Sequence, residues 1–170
     1  MVAHLPPAAL SAALGALRAG LIAILLALFA RGFVLELRVV SGRSMEPALL
    51  AGDRVLVDRM IYAPDLPGPL ARLLPVREPL RGDVVLARSP DAGRSVLVKR
   101  CVALAGDRIG SGNVPAGAVW LEGDHRADSR DSRAFGAVDR RAVAGRVVRV
   151  LASKAPGGPW RWSRTLRAVR

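Results

Sequence analysis

Ser44 stands in the stretch SGRSMEPALLAGDRVLVD (41–58), directly after a predicted strand and a glycine turn and just before Pro47, which stops a helix from propagating. A hydroxyl on so tight a connection becomes a nucleophile only with a base in reach. The candidate base is Lys99, in SVLVKRCVAL (95–104). Strand alternation puts Leu97, Lys99 and Cys101 on one face and Val96, Val98, Arg100 and Val102 on the other, so Lys99 projects between apolar neighbours. Burial there disfavours the ammonium form and lowers its pKa, which is what an amine needs to act as a base near neutral pH. Each residue also has an ordinary explanation: a serine in a turn, and a lysine snorkelling from an edge strand.

The composition sharpens the choice. Of 26 basic residues only Lys99 and Lys154 are lysine. Arginine does not lose its proton in a protein, whereas a desolvated lysine does. Lys154 sits in Gly/Pro-rich surroundings with no evident chemistry. The lone cysteine, Cys101, excludes an intramolecular disulfide, and His4 and His125 lack zinc spacing, so neither metal nor cofactor is expected. A further stretch, GDHRADSRDSR (123–133), sets Asp124, Asp128 and Asp131 among Arg126, Arg130 and Arg133. It is not a calcium loop, because Phe135 stands at the twelfth position from Asp124, where a bidentate Glu belongs. A network of ion pairs fixing the wall of a site is the better reading.

The elements that must position these residues are short. Strands are predicted over Val34–Val40, Arg54–Asp58, Asp83–Arg88, Ser95–Leu104, Ala118–Glu122 and Val143–Leu151, each rich in Val or Leu and closed by turn residues. APDLPGPLARLLPVREP (63–79) is too rich in proline for regular structure and reads as a loop. Ahead of the strands, residues 14–34 contain the uncharged run AGLIAILLALFA, with Arg18 and Arg31 near the ends, and read as one membrane-spanning helix after a short tail, 1–13. A cleaved signal peptide fits less well, since Leu28-Phe29-Ala30 lacks the small residue that A-x-A cleavage needs. The expected organisation is mostly β: an anchor, an antiparallel catalytic β domain over 35–152, and a basic, Trp-containing tail over 153–170 outside the core. The net charge of +12 suits either nucleic acid or anionic lipid, but with 4% aromatic residues stacking platforms are scarce and nucleic acid is not expected.

Together these stretches resemble the type I signal peptidase family over about residues 20–150, with its boxes in the family's order. Ser44-Met45-Glu46-Pro47-Ala48-Leu49 is similar to the serine box S-M-x-P-T-L, with Ala48 for Thr. Arg81-Gly82-Asp83-Val84-Val85 is similar to R-G-D-[IV]-V. Lys99 to Asp107 is similar to K-R-x-x-G-x-P-G-D, with Ala103 and Ala105 replacing Gly and Pro. Gly123-Asp124-His125, then Ser129, Asp131, Ser132 and Arg133, is similar to the last box, with His125 where Asn is usual.

The resemblance implies a signal-peptidase-like β fold and a serine endopeptidase in which Ser44 attacks and Lys99 is the general base. It implies that Ser129 orients the Lys99 amine, and that Asp131 and Arg133 support the site through a salt bridge, with Asp124 and Arg100 beside them. Gly42, Ser44 and Met45 would line the oxyanion and substrate side. The Ser44 backbone N–H would hold the oxyanion, and Gly42 stands where some relatives supply a hydroxyl. The implied substrates are signal peptides of exported preproteins, cut after A-x-A at the bacterial cytoplasmic membrane by a single-pass enzyme facing the extracytoplasmic side. Lipid is the other expected partner, and no obligate protein partner is inferred. The rival readings are a self-cleaving or pilin-type Ser-Lys peptidase and a membrane-tethered basic binding module.

Overall fold

The computed structural model describes residues 7–29, 35–62, 77–91 and 95–169. The proline-rich loop lies mostly outside them, as do residues 30–34 of the expected anchor and Val34 of the first predicted strand. The chain divides into two units, Met1–Val34 and Leu35–Arg170.

In the first unit a helix, α1, runs Pro7–Phe29. Among the described residues no helix is long and apolar enough to cross a membrane.

The second unit is mostly β, as the Val/Leu runs predict. Its strands are β1 (Leu35–Val39), β2 (Asp53–Asp58), β3 (Val84–Arg88), β4 (Val96–Leu104), β5 (Arg108–Ile109), β6 (Gly112–Asn113), β7 (Ala118–Glu122), β8 (Val138–Asp139), β9 (Val143–Ser153) and β10 (Arg167–Ala168). One antiparallel sheet runs β1-β2-β9-β3-β4-β7-β8, with β10 also on β9, while β5 and β6 form a separate hairpin. A single helical turn, α2 (Ser132–Phe135), follows β7.

Both faces of the sheet are buried around β3. Val84 and Leu86 enter one core with Val40, Met45, Leu49, Val55, Val57, Val147, Val150 and Val169. Val85 and Ala87 enter another with Tyr62, Cys101, Val119, Leu121, Val138 and Val143. A strand buried on both sides reads as an unbroken apolar run, which is what Val84-Val85-Leu86-Ala87 is.

The tail is a correction to the sequence reading. Instead of lying outside the core, the described part of the tail, 153–169, returns to it: β10 pairs with β9, Val169 packs in the first cluster, and Arg164 is buried. Gly, Pro and exposed Trp residues give this stretch a solvated local pattern, and only contacts distant in sequence bring it in.

Candidate active site

Ser44 lies in the irregular loop between β1 and β2. The loop closes at its base, where Val40 N donates to Asp53 O at 2.9 Å and Gly52 N to Val40 O at 2.8 Å. Met45 and Leu49 are fully buried and pin it to the core, while Leu49 N donates to Met45 O at 2.8 Å. The Asp53 carboxylate accepts from Leu50 N at 2.9 Å and shapes the return. Hydrophobic plugs and one capping carboxylate thus fix a segment that Pro47 and Gly52 keep out of regular structure.

Lys99 comes from the middle of β4, where the antiparallel register sets it opposite Val85 of β3. It is 4% exposed, and its Nζ is hydrogen-bonded to Ser44 Oγ at 2.7 Å. Burial pushes the amine below its ordinary range; the Asp131 carboxylate pulls it back upward and the Arg133 guanidinium opposes that pull. Among the described residues Ser44 is the only hydrogen-bond partner of the Lys99 amine.

The loop 123–133 closes the other side. Asp131 is fully buried, and its Oδ2 accepts from Gly123 N at 2.8 Å, Ser129 Oγ at 2.5 Å and Arg133 Nη2 at 2.5 Å. Burial alone would raise its pKa, but the bonds from Arg133, Gly123 and Ser129 outweigh that and hold it well below the usual carboxylate range. Ser129 therefore donates to Asp131 and makes no hydrogen bond to Lys99, the contact the resemblance implies. The expected Asp131–Arg133 ion pair is present, and so is a two-pronged pair from Arg100 Nε and Nη2 to Asp124, both at 2.7 Å. His125 touches the site through its backbone: its N–H donates to Ser44 O at 3.0 Å. Its ring lies 3.1 Å from Asp128, away from the Ser44 hydroxyl's partner.

Two residues that stand in the boxes without a stated role shape this region. Gly123 packs so closely that a Cβ there would sit 2.2 Å from Ser129 Oγ and 2.5 Å from Ser44 O. Behind β3, Asp83 gathers Arg77 at 2.8 and 3.0 Å, Arg146 at 3.0 Å and the Tyr62 hydroxyl at 2.5 Å, tying the Arg81 box to β9. Gly42, by contrast, has open space where a Cβ would stand, and the Ser44 amide has no acceptor among the described residues.

The hydroxyl and amine open onto a cleft of ≈ 470 Å³, bounded by Val39, Val40, Ser41, Gly42 and Met45 on one side and by Leu86, Val96, Leu97 and Val98 on the other. Along 96–99, β4 pairs among the described residues with β3 alone, because its pairing with β7 begins at Arg100. A hydroxyl beside a desolvated amine, on an open cleft beside a strand edge, can carry out acyl transfer on an extended peptide.

The sequence matches the family model described as signal peptidase, peptidase S26, over residues 13–113 and 110–152. The chain belongs to this signal peptidase family. It is 34% identical over 117 residues to mitochondrial inner membrane protease subunit 1 of Mus musculus, covering 63% of this chain and 63% of that protein. The subunit 1 protein of Schizosaccharomyces pombe is 34% identical over 125 residues, covering 68% of this chain and 73% of its own length. Signal peptidase I of Pseudomonas aeruginosa is 34% identical over 86 residues, 51% of this chain and 30% of that protein. The matched region thus spans a little under two thirds of the mouse relative.

Proposed function

We propose that this signal peptidase family member is a membrane-attached serine endopeptidase that removes signal peptides from exported preproteins, with Ser44 as nucleophile and Lys99 as general base. The observation that carries the reading is the 2.7 Å contact between a loop hydroxyl and a buried, desolvated amine.

In this reaction neutral Lys99 takes the Ser44 proton as Oγ bonds to the scissile carbonyl carbon. The Ser44 amide, which has no other acceptor among the described residues, donates to the oxyanion. Protonated Lys99 then gives its proton to the departing amine, leaving an acyl-enzyme. Water, deprotonated by the same amine, hydrolyses the ester and restores Ser44. The preprotein lies extended along the free edge of β4, and Met45, Leu86, Val96 and Val98 leave room for small side chains such as those of A-x-A.

Attachment rests on the N-terminal segment 14–34. In α1 the side chains of Leu21, Ile22, Ile24, Leu25 and Leu26 each expose more than half their surface, which suits lipid better than water. We place the enzyme at the bacterial cytoplasmic membrane, spanning once, with the β domain on the extracytoplasmic side. The test is cleavage of a preprotein in detergent by the full chain. Ser44→Ala, Lys99→Ala and Lys99→Arg are each expected to abolish it, and retained activity in Lys99→Arg would rule out the general base.

A further inference from the structure

The loop bearing Ser44 is held from behind by the chain's C-terminal segment. Arg164 lies in a 3₁₀ turn (Trp162–Arg164) and is 9% exposed. Its Nε and Nη2 donate to Asp53 at 3.2 and 2.6 Å, and Nη2 also donates to Ala48 O at 2.9 Å. Arg161 Nη1 reaches Ala51 O at 3.0 Å. Gly52, with φ +90°, packs so tightly that a Cβ would sit 1.8 Å from Lys154 O. The C-terminal segment therefore engages Ala48, Ala51, Gly52 and Asp53 in succession, all on the strand-return side of Ser44. The family match ends at residue 152, ahead of every one of these C-terminal groups.

We infer that Arg164 is a positioning residue for Ser44: its fork, shared between the Asp53 carboxylate and the Ala48 carbonyl, sets where the serine loop stands relative to Lys99. The inference rests on the Ser-Lys reading above. Lys99 is carried on a sheet strand paired with β3, whereas Ser44 sits on an irregular loop whose return Arg164 grips, so the loop is the side whose position the tail sets. Reacting atoms displaced by about 1 Å lose roughly a hundredfold in rate. A planar fork fits the two acceptors together, whereas an ammonium reaches one at a time.

The experiment uses the full chain in detergent with a preprotein substrate and reads kcat, KM and thermal unfolding for Arg164→Lys, Arg164→Met and the pair Arg164→Met/Asp53→Asn. Arg164→Lys keeps a charge beside Asp53 and so preserves folding. It is expected to lower kcat several-fold with KM within about twofold. The double variant leaves no unpaired buried charge and is expected to lower kcat by roughly 10–100-fold with KM again little changed. Wild-type kcat in Arg164→Lys, or in a folded double variant, would overturn the positioning role, as would a kcat loss that vanishes at lower temperature and so tracks unfolding alone. Ser44→Ala and Lys99→Ala run alongside: activity in those variants would defeat the dyad reading itself, whatever Arg164 does.

Discussion

The two halves of the site meet at 2.7 Å but are held by opposite means. Lys99 is placed by sheet register, in a nine-residue strand whose neighbours are Val85 and Cys101 in a buried cluster. Ser44 is placed by polar clasps on an irregular loop: His125 N on its carbonyl, Gly123 against it, and Arg164 on Ala48. The apolar side fixes its residue rigidly and pays in desolvation of an amine. The polar side also buries charge, Arg164 against Asp53 and Asp131 among its donors, and depends on a few partners from distant segments. Loss of the lysine should therefore cost activity without stability, whereas changes on the serine side should cost activity in proportion to how far they shift the loop.

The largest effect tests the lysine half. Lys99→Met removes the base yet also removes an amine that burial disfavours, so preprotein cleavage should fall by at least about 10⁴-fold while the melting temperature stays the same or rises. A large drop in melting temperature would show that Lys99 is held by more than register. On the serine half, Gly123→Ala should cost about 100-fold in kcat, because the new Cβ must push aside Ser129 or the Ser44 carbonyl. Gly42→Ala, which meets open space, should fold normally and stay within a few-fold of wild type; parity between the two glycine variants would break the contrast.

A smaller effect joins the halves. The proposed mechanism requires neutral Lys99, so kcat/KM should rise with pH through the lowered Lys99 pKa and level off above it. The Asp131 charge raises that pKa, so Asp131→Asn should move the rising limb to lower pH. The same carboxylate is held below its ordinary 3.8; its stabilisation is complete above that value and is lost progressively as pH falls below it toward the lowered folded-state value. Unfolding monitored from pH 6 down to pH 2 should show that loss in wild type and less of it in Asp131→Asn. Smallest of all, Arg81→Ala breaks an exposed pair with Asp107 and should leave kcat within about twofold.

The lysine half was the more legible in sequence. Six Val/Leu runs marked the long strands, and alternation alone put Lys99 among apolar neighbours. The two-residue strands β5, β6, β8 and β10 carry too few residues for a period and were not predicted. On the serine half, the boxes pointed to Ser44, Asp124, Asp131 and Arg133, since these act through type and spacing. Gly123's close approach, the His125 amide and Arg164 escaped, because a backbone contact leaves no mark in side-chain type and the Arg164–Asp53 pair joins residues 111 apart. Ser129 was assigned to Lys99 through the resemblance, and the geometry gives it to Asp131 instead.

The central claim is that Lys99 is a desolvated amine poised to be neutral beside Ser44. The chain has only two lysines, so lysine labelled with ¹³C at Cε yields two resonances, and Lys154→Arg leaves that of Lys99 alone. Titrated in detergent, this resonance should report a pKa clearly below the ordinary 10.5. A Lys99 titration at or above 10.5 would contradict the account.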